Sequence, residues 1–187
     1  MNRLSLVLLI ALLTACAKEV EQSQLVHRGG IYYEINSTTP FTGTGREYHE
    51  NGQLKSKTIY KDGRLDGVWD FYYENGQLEG LKTYKNNKLN GAVEAYDKYG
   101  QLIYKGSFKD DEIDGLYEEY HRNGTLKERA NYKVGKLDGL REEYYENGQL
   151  AFRGTYNNNF FDGVIEGYDE SGRMEYKVTY ENGKPIR

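Results

Sequence analysis

Between residues 43 and 186 one hydrophobic pattern recurs six times, every 24 residues and without insertion. If the opening glycines Gly43, Gly67, Gly91, Gly115, Gly139 and Gly163 are position 0, position 5 is always tyrosine: Tyr48, Tyr72, Tyr96, Tyr120, Tyr144 and Tyr168. Position 11 is leucine, or Met174 in the last copy, and position 17 is Tyr60, Tyr84, Phe108, Tyr132, Tyr156 and Tyr180. The apolar and aromatic positions 1, 5, 11, 15 and 17 are all odd, while 12, 14, 16 and 18 are mostly Lys, Arg, Glu or Thr. A period of two predicts strands with one covered face. Position 9 is glycine throughout (Gly52, Gly76, Gly100, Gly124, Gly148 and Gly172), four times as Asn-Gly between the two halves of a unit, which is a strong hairpin signal. A second turn falls at positions 19 to 23, as in Lys61-Asp62-Gly63-Arg64-Leu65. Strand, turn, strand, turn leaves no room for a crossover helix, so the expectation is all-β: an elongated antiparallel meander of stacked hairpins with about 12–13 strands.

A lone hairpin is marginal in water, so the units must lean on one another for stability. The register inside a unit has two solutions. A two-residue Asn-Gly loop sets position 3 opposite position 14, pairing Glu94 with Lys105, Glu118 with Arg129, Glu142 with Arg153 and Glu166 with Lys177. A three-residue loop such as Glu74-Asn75-Gly76, with its glycine left-handed, sets position 5 opposite position 11 instead. Burying a tyrosine–leucine pair outweighs an exposed ion pair, which favours the three-residue loop. Gly30-Ile31-Tyr32-Tyr33-Glu34 and Pro40-Phe41-Thr42 read as a capping strand and turn over 29–42, and Pro185 blunts the other end.

The first residues read as an export signal: Arg3, an apolar run from Leu4 to Leu13, then Leu13-Thr14-Ala15-Cys16. That run is too short to span a bilayer as a helix. Net charge is -4, with no basic stripe for a phosphate backbone, which argues against nucleic acid. The single cysteine allows no internal disulfide.

Two resemblances sharpen the picture. Leu13 to Cys16 is similar to the lipobox of bacterial lipoproteins. It implies a signal peptide over 1–15, removed, and a lipidated Cys16 followed by a tether over 16–28. The protein would then sit anchored by lipid in the cell envelope, and Ala17 after the cysteine favours the outer membrane and periplasm if the source is Gram-negative. Tyr72-Tyr73-Glu74-Asn75-Gly76-Gln77-Leu78, its copy at Tyr144 to Leu150, Lys136-Leu137-Asp138-Gly139 and Pro40-Phe41-Thr42-Gly43 resemble the MORN-repeat variant, often catalogued in bacteria as YwqK-family antitoxins. The resemblance implies six such repeats over 43–187, forming a binding or spacing module without catalysis.

Catalytic, cofactor and metal sites are not expected. His49 and His121 share position 6 of units far apart, and the acidic turn Asp110 to Asp114 carries His121 where a calcium loop needs glutamate. Recognition has three candidate sources. The acidic column Asp70, Glu94, Glu118, Glu142 and Glu166 shares the tyrosine face in the favoured register. The aromatic columns at positions 5 and 17 serve first as core. The less regular Trp69, Phe71, Tyr73, Tyr117, Tyr145 and Phe152 could carry partner specificity. These point to a lipid-anchored, non-catalytic scaffold binding a protein partner. The alternatives are a polysaccharide- or peptidoglycan-binding module and an antitoxin or immunity protein.

Overall fold

The structure is a computed structural model, and it describes residues 18–186; the export signal and Cys16 lie outside the described residues. The six units form twelve antiparallel strands in chain order. They are β4 (Gly43–Tyr48) with β5 (Leu54–Lys61), β6 (Arg64–Tyr72) with β7 (Leu78–Lys85), β8 (Lys88–Tyr96) with β9 (Leu102–Lys109), β10 (Glu112–Tyr120) with β11 (Leu126–Lys133), β12 (Lys136–Tyr144) with β13 (Leu150–Asn157), and β14 (Phe160–Tyr168) with β15 (Met174–Glu181). β16 (Lys184–Ile186) closes one edge, and β1 (Glu19–Glu21) pairs in parallel with β4 at the other, so the main sheet has 14 strands rather than the expected 12–13. β2 (Leu25–Arg28) and β3 (Ile31–Glu34) form a separate hairpin. Residues 19–28, expected as tether, thus carry two strands, because the Glu19–Glu21 backbone finds unpaired groups on β4.

The hairpin of β2 and β3 seals the first unit. Tyr32 N–H donates to the Gly63 carbonyl at 2.7 Å, Phe41 N–H to Tyr32 at 2.9 Å, and the Tyr32 ring lies 4.8 Å from that of Tyr60. Phe41 and Tyr60 are 2% and 3% exposed, and burial pushes the Tyr60 hydroxyl up to about 12. The rest of the core is thin, with only Val93, Ala130, Tyr156 and Ile165 as further buried apolar residues among those described.

Both register solutions are realised at once. Within each unit the loop has three residues: Tyr73 N–H donates to Gln77 O at 2.9 Å, Gly76 N–H to Tyr73 O at 2.8 Å, and the six loop glycines have φ of 81 to 85°. Tyr72 accordingly faces Leu78. One residue further in, a bulge inserts position 12 into the returning strand, and position 3 then faces position 14: Glu118 opposite Arg129, Glu142 opposite Arg153, Glu166 opposite Lys177. This overturns the expectation of a single covered face for the odd positions. Positions 1, 3, 5 and 11 lie on one face, here face A. The extra residue carries positions 13, 15 and 17 to the other, face B.

The turns between units are two-residue and primed. Asp62-Gly63, Asn86-Asn87, Asp110-Asp111, Val134-Gly135, Asn158-Asn159 and Asn182-Gly183 all have positive φ at both residues, the hand that matches strand twist.

Candidate functional site

The candidate site is the sheet itself: the turn Gln22–Gln24 and the β2–β3 hairpin cover face B at the first unit, where Gln22 and Tyr32 meet Tyr60, and beyond that unit no strand or helix lies over either face of the sheet among the described residues. Its two long edges, formed by the turns, are stitched by side chains. At the loop edge, His49 Nε2–H donates to Tyr72 O at 2.7 Å, Tyr73 Oη to Tyr96 O at 2.8 Å, His121 Nε2–H to Tyr144 O at 2.8 Å and Tyr145 Oη to Tyr168 O at 2.8 Å. Asn51, Asn75, Asn123 and Asn147 each accept from their own loop backbone and donate Nδ2–H to the next loop's carbonyl at 2.8 Å. The third unit has Asp97 and Tyr99 in those places, and Gln101 makes the link instead, reaching the carbonyls of His121 and Arg122. The position 6 residues His49, Tyr73, His121 and Tyr145 are therefore staples. Tyr73 and Tyr145, expected as partner contacts, spend their hydroxyls inside the fold.

Face A carries a row of charges running across the strands. Glu118, 4% exposed, accepts from Lys105 at 2.8 Å, from Arg129 at 2.7 and 2.8 Å and from Tyr120 at 3.1 Å. Burial alone would raise its carboxyl, but these bonds outweigh that and hold it below the usual carboxylate range. Glu142 takes Arg153 and Tyr144, and Glu166 takes Lys177 and Tyr168, at 2.8 to 2.9 Å. The acidic column thus shares the tyrosine face as expected, and from Glu118 onward it is occupied by the protein's own bases. Alongside it, Leu116, Leu140 and Val164 at position 1 are about two-fifths exposed (41%, 38% and 39%).

Face B holds the other aromatics. Trp69 and Phe71 have ring centroids 4.7 Å apart, Tyr104 and Tyr117 6.3 Å, Tyr117 and Tyr132 6.2 Å, Phe152 and Phe161 6.3 Å. Between Phe71 and Tyr104 the floor is Gly80 and Ala95, which leaves an open depression. Trp69, Phe71, Tyr117 and Phe152 therefore share a face, opposite Glu94, Glu118, Glu142 and Glu166. The sequence candidates fall into three places: two faces and an edge.

Sequence reasoning missed a break in the periodicity of face B. Glu119, Glu128 and Glu143 stand side by side on β10, β11 and β12. Like charges directly opposite repel, and Arg141 answers two of them, with Nε 2.9 Å from Glu128 and a terminal nitrogen 2.8 Å from Glu143; Lys127 answers Glu119 at 2.6 Å. Burial and the nearby Glu119 and Glu128 push the Tyr117 hydroxyl up to about 12. The signal was available only with the bulge in hand, since it decides that positions 4 and 13 meet.

The described residues bring together no cluster of His, Cys, Asp and Glu able to hold a metal. The sequence profile of a family described as MORN repeat variant matches residues 41–62, 65–86, 113–133, 137–158 and 161–182. The matches skip the third unit, whose strands β8 and β9 nonetheless continue the sheet. No curated protein matches the chain.

Proposed function

The chain belongs to the MORN repeat variant family, and from that premise we propose that it is a non-catalytic interaction scaffold that binds a partner protein along its sheet. The observation carrying this reading is the aromatic face beyond the first unit, where half-buried rings such as Trp69, Phe71, Tyr117 and Phe152 stand in a layer over which no described strand or helix packs. Exposed or half-exposed aromatics on a rigid surface are favoured sources of binding energy. In the same reading Cys16 carries a lipid that holds the array at a membrane of the cell envelope. Neutralisation of a toxin is a special case in which the toxin is the partner.

The test is photo-crosslinking in living cells from single positions on each face, Phe71 and Tyr117 on one and Ala92 and Leu116 on the other. The expected outcome is a discrete protein adduct from at least one face, lost on Trp69→Ala or Phe152→Ala if face B is used. Absence of any adduct, with retention of the purified protein on peptidoglycan that Trp69→Ala abolishes, would replace the scaffold with a glycan-binding module.

A further inference from the structure

The charge row on face A lapses at one place. In β4 to β15, position 14 is Lys57, Lys105, Arg129, Arg153 and Lys177, but in the second unit it is Leu81. Leu81 lies directly opposite Asp70 on β6 and Glu94 on β8. Elsewhere a position 14 base between two position 3 acids bonds at least one of them, as Lys105 and Arg129 bond Glu118. Asp70 makes no hydrogen bond or ion pair among the described residues; Lys57, opposite it on β5, influences it only through space. Glu94 receives the Tyr96 hydroxyl at 2.5 Å and no base, because Lys105 is taken by Glu118. Lys82, the next base along β7, sits on the other face with its Nζ 5.4 Å from the centre of the Phe71 ring. Two carboxylates thus flank a leucine with no cation between them.

We propose that this gap is a docking site for an arginine or lysine side chain presented by a partner protein lying across face A. The inference rests on the scaffold reading and names the chemistry of its partner. Charge complementarity sets the occupant, and the neighbouring units provide its template. Strand spacing of about 4.8 Å puts the backbones of β6 and β8 roughly 10 Å apart, a gap within the span of a guanidinium or ammonium at the end of an aliphatic stem, and the two acids belong to no metal-holding cluster among the described residues. Leu81 supplies an apolar floor for that stem. Burial raises the Asp70 carboxyl despite the pull of Lys57, which does not bond it. The gap also borders the unit that the family profile skips.

The experiment selects a displayed library of extended decapeptides, uncharged except at one position that is varied between Arg, Lys, Gln and Glu, on the immobilised full-length protein. Peptides with Arg or Lys should be enriched over their Gln counterparts by about tenfold, the factor supplied by about 1.4 kcal/mol. Leu81→Arg, which places the base in cis, should erase that enrichment while raising the melting temperature, so the loss is not unfolding. The double variant Asp70→Asn with Glu94→Gln should erase it too. Enrichment indifferent to charge, or undiminished in Leu81→Arg, overturns the proposal. In cells, an adduct from Ala92 that disappears in Leu81→Arg supports it. An adduct that persists overturns it while leaving the scaffold reading intact, whereas failure of all adducts on both faces removes the scaffold reading itself.

Discussion

Val134 holds φ at +49° in the first seat of a primed turn, where the other five copies have Asp or Asn. A β-branched residue is strained there, and its side chain is 58% exposed, so nothing is gained in return. Val134→Asn should stabilise the protein by about 1 kcal/mol in urea unfolding. The opening glycines make the converse case. Gly67 has φ of +135° and a Cβ there would stand 2.9 Å from the Ile59 Cβ, so Gly67→Ala should destabilise by about 2 kcal/mol, read the same way. Apart from Val134, the turn residues were legible in the sequence because Asn, Asp and Gly advertise left-handed backbone. What was not legible is the bulge at position 12. Its occupants are Lys55, Glu79, Ile103, Lys127, Ala151 and Glu175, which share no chemistry. An extra residue that only shifts register needs no particular side chain, so the odd positions looked like one face.

At the level of strands, the two kinds of acid on face A should respond to pH with opposite signs. Glu118 is held below the ordinary carboxylate range, so its contribution is fully present above its unfolded value of about 4.3 and fades as pH falls below it. Glu118→Gln should cost about 1–3 kcal/mol at pH 7 and flatten the acid limb of the stability profile, measured by urea midpoints between pH 3 and 7. Asp70 is raised, so its ionised form is a liability above its unfolded value of about 3.9. Asp70→Asn should leave the protein as stable or more stable at pH 7, with the difference vanishing as pH falls toward 3. The pairs of Glu118, Glu142 and Glu166 were legible from charge alternation, but only in the register that the tyrosine–leucine argument set aside; the bulge lets both stand. Asp70 facing Leu81 was readable too, but its meaning depended on seeing Glu118, Glu142 and Glu166 paired.

For the whole molecule, the 24-residue count governs what can be removed. Deleting 115–138, one complete unit, should leave a shorter folded array with one cooperative transition, because each unit presents the same ladder and staples to its successor. Deleting twelve residues from Gly115 should abolish cooperative melting by circular dichroism, since it would pair unlike strands and strand a turn without its primed residues. The repeat fixed this much in advance, and the capping strand β3 was read from Gly30 to Glu34; β1 and β2 were harder to foresee, because they occur once and have no periodicity to betray them. The stitching along the loop edge also has a direction. Each loop reaches forward by Tyr, His, Asn or Gln, but the last has Asp169 and Ser171, and Asp169 turns back on its own loop, accepting from Ser171 and Arg173, bonds that draw its carboxyl down to about 2. The forward stitching therefore lapses at this loop, which closes on itself. Transplanted to the middle of the array, that hairpin should make the junction behind it the first seam to part, and rewriting Asp169 as Tyr with Ser171 as Asn would give it back the two clasps its predecessors use.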